Sequence, residues 1–213
     1  DDSAPTITFD AATSTATEGD GTVTVGVTLG AASGLDATIP YTVSGTATGS
    51  STDHDLTDAS LTIAAGLTTG SISFALTDDA QAEGDETVIV TMTTGSLTNA
   101  SAGATTEHTL TIADDETPPT VAFTASSQSA AESVGSITVT AELSAASGGD
   151  VTVPYTVTGT ATGSGTDHDL ADGSLTITAG ATTADITINV TADALDEDDE
   201  TVIVTMTTGS LTN

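Results

Sequence analysis

The sequence predicts an all-β chain, two antiparallel sandwiches in tandem with no helical part. Three observations carry this reading. Short runs of Val, Ile, Leu and Thr alternate with period two, the spacing that sends successive side chains to opposite faces of a sheet. Turn-rich stretches such as Gly30–Asp36 and Gly45–Thr52 separate those runs, and none shows a capped 3.6-residue apolar stripe. The chain also repeats itself. Glu86–Asn99 recurs unchanged as Glu200–Asn213, an offset of 114 (200 − 86) that holds without a gap back to Asp1, which aligns with Asp115.

Within the first unit, Thr6–Phe9 is the opening strand and Thr22–Leu29 the second, each with clean alternation. Ala37–Val43, Ser60–Ile63 and Ser71–Leu76 follow, then Thr87–Met92 and His108–Ile112. Seven short antiparallel strands in a unit of this size fit an immunoglobulin-like sandwich.

The repeat places domain one at residues 1–116 and domain two at residues 117–213. Between them runs Asp114-Asp115-Glu116-Thr117-Pro118-Pro119, where two prolines stiffen the chain and hold Thr117 extended. Asp1-Asp2 read as the tail of a preceding unit. The second unit stops at Asn213, whereas the first continues through Ala100–Glu116, so repeat two is expected to lack its last strand. The 213 residues then read as a window on a longer array. A strand donated by a neighbouring molecule is the alternative, because an open sheet edge pairs readily.

Charge excludes several functions. The chain has 31 Asp and Glu against no Lys or Arg, a formal net charge of −31. Phosphate backbones need cationic side chains, so nucleic-acid binding is excluded, and anionic membrane surfaces repel the chain. No apolar run approaches the ~20 residues of a membrane span, so no membrane insertion is expected. Without Cys there are no disulfides and no thiolate metal sites. A compact fold must therefore tolerate carboxylate repulsion or recruit cations.

The acids gather in turns, not along the strands. In the first unit most of them form four groups: Glu18; Asp53 and Asp55; Asp78-Asp79 with Glu83, Asp85 and Glu86; and Asp114-Asp115-Glu116. Alternate connections of an up-and-down sandwich fall at one end, so these groups can share a tip. Ca²⁺ takes six to eight oxygen ligands in irregular, loop-built geometry, whereas Mg²⁺ keeps its waters and zinc prefers His or Cys. The competing reading is an acidic surface screened by high salt.

The order Glu18-Gly19, then Gly45-Thr46-Ala47 followed by Asp53, then Asp78-Asp79 with Glu83-Gly84-Asp85-Glu86-Thr87, then Ile112-x-Asp114-Asp115, resembles the Calx-beta domain. The resemblance covers both units. It implies a Ca²⁺-binding sandwich with Glu18, Asp53, Asp78, Asp79, Glu83, Glu86, Asp114 and Asp115 as side-chain ligands and Gln81 offering its backbone carbonyl. Glu116 joins this set as the acid leading into the linker. In the second unit the resemblance implies Glu132, Asp167, Asp193, Glu197 and Glu200, but Ala192 replaces the equivalent of Asp78, which predicts a weaker site. His54 and His168 stand where the family commonly has Tyr, and they read as packing.

Other residues carry no chemistry on this reading. His54, His108 and His168 are not at ligand spacing from one another and read as exposed or packing histidines. Asp85-Glu86 resembles an acid–base pair, but nothing marks a substrate pocket, so no enzyme is expected. Asn99-Ala100-Ser101 and Asn189-Val190-Thr191 match the glycosylation pattern by chance in a chain this rich in Ser and Thr. The resemblance points to a structural repeat of a large, repetitive, secreted or cell-surface bacterial protein, an adhesin stalk or extracellular fibre whose tips and junctions Ca²⁺ rigidifies. Its partners are neighbouring repeats, other copies in a fibre, or an unknown surface ligand. The alternative is a Ca²⁺-dependent glycan- or protein-binding module.

Overall fold

A computed structural model describes residues 3–194 and 198–207. The chain divides into two compact units, the first formed by residues 1–79 and 84–115, the second by residues 80–83 and 116–213.

The first unit is a two-sheet sandwich. In chain order its strands are β1 (Thr6–Phe9), β2 (Thr13–Thr17), β3 (Thr22–Leu29), β4 (Ala37–Gly45) and β5 (Ala59–Ile63). They are followed by β6 (Thr69–Ala75), β7 (Glu86–Met92), β8 (Ser101–Ala102) and β9 (Glu107–Ala113). One sheet runs β6-β3-β1-β8 and the other β2-β9-β7-β4-β5. Alternation decides which residues face inward. Ile7 and Phe9 of β1, and Val25, Val27 and Leu29 of β3, meet Ile39, Val88, Val90, Leu110 and Ile112 of the opposite sheet, all buried. Each such aliphatic side chain contributes about 1.5–3 kcal/mol by leaving water, an upper estimate for an extended unfolded reference.

All seven strands expected from the sequence form, with ends shifted by at most two residues. Two short strands join them, and both pair parallel, where an entirely antiparallel arrangement was expected: β2 with β9 and β1 with β8. β2 escapes a pattern reading because Thr13-Ser14-Thr15-Ala16-Thr17 buries only Ala16. Its extended form comes from its neighbour β9, not from its own side chains.

The second unit is built from the same repeat. β10 (Val121–Phe123), β11 (Ser136–Leu143) and β14 (Thr183–Asn189) form one sheet. The other is β13 (Gly173–Ile177), β12 (Val151–Gly159) and β15 (Val202–Met206), in that order. Its buried core centres on Leu143, Val151, Val153 and Ile177. The segment 80–83 adds an edge contact to this unit: Ala82 forms a parallel bridge with Ser147, and its carbonyl accepts the Gly148 N–H at 3.1 Å.

No helix among the described residues is long and apolar enough to cross a membrane.

Candidate metal centre

Four segments of the first unit build its acidic end. Glu18 opens a short 3-10 turn, Glu18–Asp20, directly after β2, and is buried. The Thr17 N–H donates to Asp20 Oδ2 at 2.8 Å and fixes this turn. Gly19 within it has a neighbour that a side chain would press: a Cβ there would lie 3.3 Å from Asp115 Oδ2. The carboxylate that follows β9 thus lies against the turn that follows β2.

Asp53 is locked by its own loop. Ser50 and Ser51 adopt left-handed backbone (φ 66° and 65°), which folds the chain back. The Asp53 N–H then donates to the Thr48 carbonyl at 3.0 Å, and the Thr48 N–H donates to Asp53 Oδ2. The Asp53 carbonyl accepts the Thr77 N–H at 2.9 Å, tying this loop to the residue before Asp78. A second clamp sets the start of β7. Thr87 N–H donates to Thr46 Oγ1 at 2.9 Å and Thr46 N–H to Thr87 Oγ1 at 3.2 Å, which holds Glu86 beside the Asp53 loop.

The outcome is convergence of like charges. Asp53 and Glu86 offer carboxylate oxygens within 4.8 Å of each other, and Asp78 and Asp115 do the same. Two oxygens on one Ca²⁺, each at 2.3–2.6 Å, stand at most about 4.6–5.2 Å apart, so both separations lie within reach of a single ion. Oxygen-only donors on loops are the chemistry that Ca²⁺ accepts and zinc does not. Glu18, Asp79 and Asp114 flank these pairs without joining a convergent group of three among the described residues, although Asp114 Oδ1 is shut off from solvent. Gln81 and Glu83 lie in the 80–83 segment and Glu116 opens the main part of the second unit, so these three are grouped with that unit. There the Glu83 side chain packs where a Cβ on Gly148 would sit.

In the second unit Asp167 repeats the Asp53 loop, its N–H donating to the Thr162 carbonyl at 2.9 Å and its Oδ2 accepting the Thr162 N–H at 2.5 Å. Glu132 opens an exposed 3-10 turn, and Asp193 and Glu200 are exposed. Glu197 lies outside the described residues. No three of this unit's acids converge among the described residues, and Ala192 stands at the Asp78 position.

The histidines are structural, and none is exposed. His54, His108 and His168 are all buried. His108 stands 2.8 Å from the Ala11 carbonyl through Nδ1 and 2.8 Å from Ser14 Oγ through Nε2. A carbonyl only accepts, so Nδ1 carries a proton, and with one proton on the ring Nε2 accepts from the Ser14 hydroxyl. The β2–β9 contact that alternation does not show is what satisfies this ring. Tyr41 and Asp169 depart from ordinary titration. Burial, then the Asp58 charge, pushes the Tyr41 phenol up. The Asn189 side chain, then its backbone N–H, holds Asp169 low.

The Calx-beta domain profile matches residues 1–116 and again residues 114–213. Among solved structures, the chain is similar to CBD12 from CALX1.2, at 21% identity over 87% of this chain and 74% of that one, with a TM-score of 0.48. It is similar to the calcium-binding domain CBD12 of CALX1.1, at 22% identity over 87% and 75%, also with a TM-score of 0.48. The apo-form Calx CBD1 domain matches 53% of this chain and 99% of its own length, at 21% identity and a TM-score of 0.48. No curated protein matches the sequence. Two profile matches that together span the chain show that it belongs to the Calx-beta family, as two domains in tandem.

Proposed function

We propose that this chain is a non-enzymatic, Ca²⁺-binding structural repeat from a secreted or cell-surface stalk or fibre. Calx-beta domains are Ca²⁺-binding modules, and one observation carries the reading for this member. The pairs Asp53–Glu86 and Asp78–Asp115 converge in a chain that has no Lys or Arg to neutralise them. The ligands in the first domain are Glu18, Asp53, Asp78, Asp79, Glu86, Asp114 and Asp115. Glu132, Asp167, Asp193, Glu197 and Glu200 form the weaker counterpart in the second domain.

Ca²⁺ acts here by preferring the folded state. Carboxylates that repel in the native loops are dispersed in the unfolded chain, so an ion binds the native form selectively. At a concentration 100 times its Kd, such an ion stabilises by about 2.7 kcal/mol. Because Asp114, Asp115 and Glu116 lead directly into the Pro118-Pro119 linker, occupancy also restricts the chain between domains.

Thermal unfolding at fixed ionic strength tests this, with millimolar CaCl₂, MgCl₂ or chelator. The expected result is a rise in midpoint with Ca²⁺ that Mg²⁺ does not match. Equal midpoints in all three, with a response to NaCl alone, would make the acids a salt-adapted surface and sink the proposal. Small-angle scattering tests the stiffening separately: the maximum dimension is expected to change on chelation, and equal values would refute a junction role.

A further inference from the structure

One turn occurs in both units, covered in the second and exposed in the first. Ser33-Gly34 and Ser147-Gly148 are equivalent at the repeat offset of 114 (147 − 33). Their scaffolds match bond for bond. The Ser33 carbonyl accepts the Gly66 N–H at 2.8 Å, and the Ser147 carbonyl accepts the Gly180 N–H at 2.8 Å. Asp36 Oδ1 accepts the Ala65 N–H and Asp150 Oδ1 the Ala179 N–H, both at 2.9 Å. Each serine hydroxyl oxygen accepts the amide two residues on, from Leu35 at 3.1 Å and from Gly149 at 3.3 Å.

The cover in the second unit is its own segment 80–83. The Ala82 carbonyl accepts the Gly148 N–H at 3.1 Å and the Ser147 hydroxyl at 3.4 Å, and Ala82 forms a parallel bridge with Ser147. Both residues are shut in, Ala82 at 3% and Ser147 at 1% exposure. A Cβ on Gly148 would overlap the Glu83 side chain, so the covered turn needs glycine there. The first unit keeps that glycine without that neighbour. Gly34 is exposed, and nothing lies within 4 Å of where its Cβ would sit. Beside it stand two large apolar side chains in water, Leu35 at 63% and Leu67 at 56% exposure. Gly149 and Ala181 take those two places in the second unit.

We propose that the Ser33-Gly34 turn is a docking site for a loop segment of the Ala80–Glu83 type from another Calx-beta domain. The proposal rests on the repeat reading above and needs no metal. The covered turn specifies the ligand. Its third residue presents a carbonyl to the Gly34 N–H and the Ser33 hydroxyl, as Ala82 does on the equivalent turn. That residue is small, because Ala82 is buried against the turn. The next side chain passes over Gly34, as Glu83 passes over Gly148. Leu35 and Leu67 enlarge the contact with apolar surface that Gly149 and Ala181 do not supply, and covering them removes that surface from water. Segment and chain are both acidic, so their long-range repulsion weakens as salt screens it, and docking strengthens with ionic strength.

The test titrates the whole chain with a synthetic peptide of the sequence Thr77–Glu86, in chelator, at about 0.1 and about 0.5 M NaCl. Amide NMR is expected to show saturable shifts at Gly34 and Leu35 that strengthen at the higher salt, and none at Gly148, which is already covered. G34A is expected to abolish binding and to leave the unfolding midpoint unchanged, since the added Cβ meets nothing in the free chain. A peptide carrying A82F is expected not to bind. Absence of saturable shifts at Gly34 would overturn the proposal, as would equal binding by G34A or by the A82F peptide. Gly34 shifts that move on dilution of the chain alone would overturn it in favour of a second copy at this turn. Chelator is present throughout, so a failure of Ca²⁺ to stabilise the chain leaves this outcome untouched.

Discussion

Asp53 from its loop and Glu86 from the start of β7 bring carboxylate oxygens within 4.8 Å of each other at the acidic end of the first domain. At that distance two unit charges repel by about 1 kcal/mol in a water-like medium and by about 3.5 kcal/mol at an effective dielectric of 20. The sign of a substitution here therefore depends on metal. E86Q is expected to raise the unfolding midpoint in chelator, because repulsion is relieved, and to reduce the stabilisation that CaCl₂ provides. Calorimetry with and without Ca²⁺ checks both signs. A fall in both conditions would assign Glu86 to packing.

Gly45 has φ of 133°, and a Cβ on it would fall on the Thr87 carbonyl oxygen. G45A is expected to destabilise the first domain by about 2 kcal/mol or more, since positive φ strain and a backbone clash act together. The carbonyl that must move belongs to the residue after Glu86, so Ca²⁺ affinity should fall as well. Denaturant unfolding and a Ca²⁺ titration measure the two effects. G159A, against the Thr201 carbonyl, is expected to destabilise the second domain in the same way.

The hydrogen bonds from Asn189 to Asp169 favour the ionised carboxyl: the side chain donates to Oδ2 at 2.6 Å and the backbone N–H to Oδ1 at 2.9 Å. The folded-state pKa of Asp169 lies below its unfolded value, with Asn189 the largest cause. Stability from this contact is therefore present above the unfolded pKa and lost as pH falls through the folded one. N189A is expected to move the Asp169 titration upward and to flatten that acid-side loss. Carboxyl NMR titration reads the first effect, and the pH dependence of unfolding reads the second.

His108 depends on a hydroxyl from β2. S14A leaves buried Nε2 without the Ser14 donor, at a cost of about 1–3 kcal/mol. Nitrogen NMR of the imidazole is expected to show the proton on Nδ1 in both proteins, held by the Ala11 carbonyl. A proton found on Nε2 would reverse this assignment.

Much of the fold was legible because burial and alternation are the same fact in a sandwich. Ile7 and Phe9, or Val88 and Val90, announce one inward face each, and the structure buries both. β2 was not legible, since Thr13–Thr17 has no apolar period and owes its strand form to β9, about a hundred residues away in the chain. The candidate site divides along the same line. That Asp53, Asp78, Glu86 and Asp115 stand near one another followed from which connections share an end of a sandwich. The clamps that aim them did not: Thr46 with Thr87, and Thr48 with Asp53, are made by hydroxyls and amides in turns. The repeated Gly-Thr-Ala-Thr-Gly-Ser at Gly45–Ser50 and Gly159–Ser164 was the one trace of them in the sequence.

The parallel pairing of β2 with β9 has a kinetic consequence. Thr13 meets Thr109 and Thr17 meets Ala113, so the sheet that contains them cannot close until nearly the whole domain is present. Contacts of such long sequence separation make folding slow, because loop-closure entropy is lost before any contact compensates it. A chain emerging from a ribosome or a narrow conduit would stay open through β1–β8 and lock only when β9 arrived. The last strand thus acts as a timer on the first domain.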